Sequence, residues 1–338
     1  MSVRSTAAKH WPHVAFLVVM AGIASACTSQ ETSQPSPTLT SLATTTSTIT
    51  PSTTTTPTPT TASPESTTTA APTTTVAAPS GPVGSSIPLL IGGEDGNWLL
   101  LGSWQADHWM SAFSDGGDPI APSVAVDSTL AVSGLDFAEL SGTVGPNGEA
   151  CFDGREGPSI DAAVPPPEPP GFGYSALALP ASWALKPRPV AQVSGGVPAY
   201  RQLGEDAFDG DPVDASTGKV EQIVVADLDG DGDDEAIVTF EHVQDPALPG
   251  SIGDLAAVLL VDTTSRSSQN VISNSVEDDG EDSFAIIERY RVIDVADLNG
   301  DGRMEVAIHA WYYEGASVIL YEYDGTKLVQ VLATGCGA

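Results

Sequence analysis

The sequence predicts a mainly β domain over residues 87–338 of a 338-residue chain, preceded by a secretion signal and a disordered stalk. Three observations predict it. Short apolar runs rich in Val, Ile, Leu and Tyr recur in the second half, punctuated by Gly-, Asp- and Asn-containing turns. A strand-like run, an acidic turn and a second strand-like run occur together twice, the copies beginning 70 residues apart. Between Glu31 and Ser80, 37 of 50 residues are Ser, Thr or Pro, and such a stretch cannot bury enough apolar surface to offset its ordering entropy.

Residues 1–26 have the form of a secretory signal. Arg4 and Lys9 make a basic start, Val14 to Ala26 is apolar, and no acid precedes Glu31. The apolar run is too short to span a bilayer as a stable helix. It ends Ile23-Ala24-Ser25-Ala26-Cys27, which resembles a bacterial lipobox. The resemblance implies that Cys27 is lipidated, with palmitate among its acyl chains, and becomes the mature N-terminus on the outer face of the cell membrane. The alternative is plain secretion with Cys27 as a free thiol. Residues 27–86 are then the stalk. As a flexible coil its residues reach about 45 Å, and as an extended polyproline-like chain up to roughly 180 Å.

The 44 acids and 12 bases give a net charge of −32, and 42 of the acids and ten of the bases lie after residue 86. That sign excludes a nucleic-acid surface, which needs a basic face, and electrostatic docking on anionic lipid. Within the domain, Asn97 to Ser111 carries strand-like runs broken by Gly102, and Pro165 to Pro170 is an exposed loop. Ala257-Val258-Leu259-Leu260-Val261 is a buried strand, and Ser283 to Val295 suits a strand better than a helix. Ala316–Tyr323 and Lys327–Leu332 flank Asp324-Gly325, a strong hairpin signal.

The repeat carries the chemistry. Its first copy places Asp227, Asp229 and Asp231 at loop positions 1, 3 and 5, with Gly232 at 6, Asp233 at 7 and Glu235 at 9. The second places Asp297, Asn299, Asp301, Gly302, Arg303 and Glu305 at the same positions. Alternating oxygen donors can converge on a hard cation such as Ca²⁺ when glycine allows the chain to curl. The carbonyl of position 7 and the carboxylate of position 9 can complete the shell. An EF-hand or dockerin loop needs an acid at position 12 and a following helix; Val238 and Ile308 stand there, between β-branched flanks. The pattern over 223–240 and 293–310 resembles the FG-GAP or VCBS repeat, the calcium-loop unit of integrin-type β-propellers. The resemblance implies a propeller-like or partial β-propeller domain with two Ca²⁺ sites. With four anionic ligands against three, the first loop is expected to bind Ca²⁺ more tightly.

If Cys27 is lipidated, Cys151 and Cys336 remain. Outside the cytoplasm they are expected to pair; the alternative is two buried free thiols. No Gly-x-Ser-x-Gly elbow or His-Glu-x-x-His zinc motif is present. Ser216-Thr217-Gly218-Lys219-Val220 echoes a phosphate loop but lacks its first glycine and its Ser/Thr. His309, in the strand after the second loop, reads as a packed or surface residue. Trp98, Trp104 and Trp109, with Asp107 and His108 among them, suit either core packing or a platform for sugar or peptide. The expectation is an envelope-anchored lipoprotein, non-catalytic, held to the membrane by its lipid. Its task is adhesion, scaffolding or binding of an envelope glycan or protein. The alternative is an extracytoplasmic hydrolase, glycan-active, with its site in the first half of the domain.

Overall fold

The computed structural model describes residues 86–337, apart from 94–97, 113–123, 152–153, 169–172, 195–196 and 279–284. The signal, Cys27 and all of the stalk but Ser86 lie outside the described residues, as do Asn97, Pro169, Pro170 and Ser283. Among the described residues no helix is long and apolar enough to cross a membrane.

The domain is mainly β, in three antiparallel sheets. The first is built from β1 (Ile87–Gly93), β2 (Trp98–Gln105), β3 (His108–Ser111), β4 (Thr129–Ser133), β5 (Leu140–Glu149), β6 (Glu156–Ala162) and β7 (Tyr174–Leu179), in the order β3-β2-β1-β7-β4-β5-β6. It curls into a half-barrel that brings β6 against β2. Gly157 of β6 lies so close to the Trp98 carbonyl that a Cβ would collide with it. Period-two alternation divides its side chains: Leu90, Trp98, Val132, Val144 and Ala178 form one cluster, whereas Leu89, Ile91, Leu99, Leu101 and Leu177 face another.

A connection through Leu185 leads to β8 (Val190–Gln192), the helix α1 (Pro198–Asp206), β9 (Lys219–Ala226), β10 (Glu235–His242), β11 (Leu255–Asp262) and β12 (Ser268–Ser275). Strands β9 to β12 pair as a consecutive meander, with β8 added beside β9. Helix α1 starts on Pro198 and packs Tyr200 and Leu203 against β9 to β11. The third sheet is a second meander, β13 (Arg289–Ala296), β14 (Glu305–Tyr312), β15 (Gly315–Tyr323) and β16 (Leu328–Gly337).

The third sheet lies between the other two and buries both faces. Ile293, Ala307, Val318, Leu320 and Leu332 join the core shared with the half-barrel. Their neighbours Val292, Val306, Ile308, Ile319 and Tyr321 join the core shared with the second sheet. Burial on both faces explains why β14 reads as an almost unbroken apolar run, whereas the edge strand β12 is polar and half-exposed. Cys151, after β5, and Cys336, in β16, form a disulfide with a Cα–Cα distance of 5.3 Å.

The strand at 257–261 and the hairpin around Asp324-Gly325 stand as expected, within β11 and between β15 and β16. Pro165 to Glu168 are outside any strand and mostly exposed. Two expectations need correction. Gly102 does not break a strand: it sits inside β2, where a Cβ would strike the Met110 carbonyl and Leu332. The break falls at Ala106, whose φ of 58° makes the turn into β3. The strand assigned to 283–295 begins only at Arg289.

Candidate metal centre

Each acidic loop joins the first and second strands of a meander: residues 227–234 link β9 to β10, and 297–304 link β13 to β14. Every candidate of the two motifs is therefore placed at the same end of an equivalent hairpin. The loops also share one hydrogen-bond scheme. In the first, Asp227 accepts from the amides of Gly230 (2.6 Å) and Gly232 (3.2 Å), Asp229 from Asp231 (3.3 Å), Asp231 from Asp233 (2.8 Å), and Glu235 from Leu228 (3.0 Å). In the second, Asp297 accepts from Gly300 (2.7 Å) and Gly302 (3.0 Å), Asn299 from Asp301 (2.9 Å), Asp301 from Arg303 (2.8 Å), and Glu305 from Leu298 (2.7 Å). Gly230, Gly232, Gly300 and Gly302 all have φ between 79° and 97°, which curls each loop inward at no steric cost.

The donor set is oxygen throughout. Asp227, Asp229 and Asp231 each offer a carboxylate oxygen, all within 4.8 Å of one another. The position-7 side chains turn elsewhere: Asp233 meets the Thr264 hydroxyl at 3.4 Å, and Arg303 Nη1 donates to the Tyr323 carbonyl at 3.2 Å. Their backbone carbonyls are then the groups this position would offer. Such a set suits a hard cation of the Ca²⁺ type and gives a soft metal no nitrogen or sulfur.

The electrostatics agree. Burial pushes Glu235 up to about 7, and the three aspartates of its loop push the same way. Burial raises Asp297 to about 6 and holds Glu305 well above the usual carboxylate range. Protein donors alone thus leave these carboxylates poorly compensated. Tyr323, pushed up to about 12 by burial and then by Glu235, borders the first loop.

Three further residues outside the motifs, all from the connection between β7 and β8, touch the loops. Trp183 Nε1 donates to the Asp297 carbonyl at 2.8 Å, and the Asp297 amide donates to the Leu185 carbonyl at 2.7 Å. Arg188 reaches both loops. Sequence reasoning passed over all three; the available signal was Lys186-Pro187-Arg188-Pro189, two of the domain's ten bases set between prolines.

The other candidates separate. Trp98 is buried in the half-barrel cluster, away from Trp104 and Trp109, whose rings meet edge to face at 5.2 Å. Trp109 Nε1 donates to Glu322 at 2.7 Å, tying β3 to β15. Asp107 and His108 form an exposed pair at 3.1 Å. His309 is fully buried and stacks on Trp311 with ring centres 4.9 Å apart. At the phosphate-loop echo, the Asp214 carboxylate itself accepts from the Ser216 amide at 3.0 Å, so an anion's place is already taken. A cavity of about 360 Å³ lies between Asp136, Glu168, Tyr174 and Arg291. There both Asp136 oxygens are engaged, by Arg291 (3.0 Å) and Gln192 (2.7 Å). Comparison of the chain with protein-family models, curated proteins and solved structures returns no match.

Proposed function

We propose that this chain is a non-catalytic, envelope-anchored lipoprotein whose β domain is stabilised by calcium in two repeat loops and displays a binding or adhesive surface beyond a stalk. The observation that carries the calcium reading is the repetition. Two segments 70 residues apart in register share the acids at positions 1, 5 and 9, their glycines, their place in a meander and the same five carboxylate or carboxamide contacts to backbone N–H. Asp227, Asp229, Asp231, Glu235 and the Asp233 carbonyl would hold one ion; Asp297, Asn299, Asp301, Glu305 and the Arg303 carbonyl would hold the other. Bound calcium would supply charge neutralisation and would lock each strand pair at its acidic end.

Two meanders with loops at equivalent corners support the FG-GAP or VCBS reading and a propeller-like stacking of blades. The lipobox-like run ending at Cys27 and the length of the Ser/Thr/Pro segment support placement outside the membrane, at the end of a tether.

The test is calcium titration and thermal unfolding of the full chain. Two ions are expected to bind. Calcium at a hundred times Kd stabilises by about 2.7 kcal/mol per site, so chelation lowers Tm by several degrees. An unchanged Tm and no heat of binding would remove the metal from the account.

A further inference from the structure

We propose that Arg188 joins the two acidic loops into one cation-binding unit, so that filling either loop favours filling the other; this rests on the calcium reading of both loops. Arg188 belongs to neither motif. It lies in the connection between β7 and β8, and its side chain is only 20% exposed. Nε donates to the Asp227 carbonyl at 2.5 Å and Nη2 to the Leu228 carbonyl at 2.8 Å, at positions 1 and 2 of the first loop. Nη1 donates to the Gly302 carbonyl at 2.8 Å, at position 6 of the second.

These carbonyls are well chosen for coupling. The Asp227 carbonyl and the Leu228 N–H are two ends of one planar peptide unit, and that N–H holds Glu235. The Gly302 carbonyl and the Arg303 N–H are likewise one unit, and that N–H holds Asp301. In each loop, then, Arg188 grips the oxygen end of a peptide whose other end positions a candidate ligand. A second strut runs directly between the loops, from the Met304 amide to the Leu228 carbonyl at 2.8 Å. The connection is itself anchored: Lys186 donates to the Gly134 carbonyl at 2.7 Å and pairs with buried Asp294 at 3.1 Å.

Ordering one loop around an ion fixes peptide units that the guanidinium fork also holds against the other, so the second ion meets a loop already ordered. The coupling runs through geometry and not through charge. The Arg188 charge, 3.8 Å from an Asp227 oxygen, opposes cation entry, and lysine would keep that charge while losing the fork.

The experiment is calcium titration by calorimetry on the full chain in four forms: wild type, Asp301→Asn, Arg188→Lys and the double variant. Asp301→Asn disables the second loop at an exposed position. With Arg188 present it is expected to weaken calcium binding at the first loop about 5-fold or more; in the Arg188→Lys background the further loss is below about 2-fold. Equal losses in both backgrounds, or two independent sites in the wild type, would overturn the coupling and leave the calcium reading standing. No calcium uptake by the wild type overturns both. Should Arg188→Lys fail to fold, amide exchange at Gly230 and Gly232 in calcium-loaded Asp301→Asn decides. Faster exchange than in the wild type supports the clamp, and unchanged exchange overturns it.

Discussion

The two acidic loops make the same five hydrogen bonds to backbone N–H in different surroundings. In the second, Asp297, Asn299 and Glu305 are all 2% exposed or less, whereas in the first Asp227 and Asp229 are half-buried and Asp231 to Asp234 are exposed. The cause lies in the layers. The second loop closes a strand pair of the middle sheet, and Trp183 and Leu185 cover it. The first closes a strand pair of an outer sheet. Composition follows burial: the buried loop has asparagine at position 3, and its Nδ2 donates to Glu305 at 3.0 Å. The exposed loop has aspartate there and leaves its charge to water or a cation. At position 3 the motif thus differs between the two dielectric settings by a carboxylate-to-amide change, and at positions 7 and 8 Asp233 and Asp234 give way to Arg303 and Met304.

Exchanging that residue is the strongest way to break the comparison. Asn299→Asp replaces a donor to Glu305 with a second buried carboxylate. Without metal it is expected to destabilise the domain by about 3 kcal/mol. Saturating calcium should recover much of that loss. Asp229→Asn, the reverse change in the first loop, is expected to shift metal-free stability by less than about 0.5 kcal/mol, because water already serves the site. Its effect falls on calcium affinity. Urea unfolding of both variants with and without calcium measures the contrast, and equal metal-free losses would erase it.

A smaller effect is expected at position 1. Asp297→Ala takes the acceptor from the amides of Gly300 and Gly302 in a buried loop, costing about 2 kcal/mol in the metal-free chain. Asp227→Ala does the same to Gly230 and Gly232, which are exposed and can turn to water; the expected cost is below about 1 kcal/mol. Matching values in urea unfolding would mean that burial does not set the difference.

Much of the geometry of the acidic loops was legible because its information is local. Nine consecutive residues specify the oxygen groups and the turn glycines, the β-branched runs on either side specify the flanking strands, and with Cys27 set aside two cysteines allow only one intramolecular pair. What the sequence concealed depends on distant partners. Arg188 meets carbonyls 39, 40 and 114 residues away, and no periodicity encodes a donor to a backbone oxygen. The unequal burial of the loops was hidden for the same reason, since it follows from the middle position of the third sheet. Gly102 misled because a glycine required by close approach to Leu332 and the Met110 carbonyl looks like one that interrupts a strand. The half-barrel and α1 were likewise unforeseen, the helix being short and visible only as Pro198 ahead of Tyr200 and Leu203.

A pH slope sharpens the comparison through the position-9 glutamates. In the metal-free fold burial raises Glu235 from 4.5 to about 7 and holds Glu305 well above 4.5. A carboxyl whose folded pKa is raised binds its proton more tightly folded than unfolded. It therefore imposes no penalty below about pH 4.5, and a growing one as pH rises toward the folded value. Metal-free stability should accordingly fall between pH 5 and pH 7.5, against the usual expectation for an acidic protein losing stability in acid. Glu305→Gln should flatten that slope more than Glu235→Gln, because Glu305 is the more deeply buried of the two, 2% exposed against 6%. Thermal unfolding in metal-depleted buffers at the two pH values measures both slopes. With calcium present the dependence should reverse, since the bound ion favours the ionised form that the empty fold penalises. A slope that the two glutamine variants share equally would place the penalty in the net charge of the domain and not in either loop.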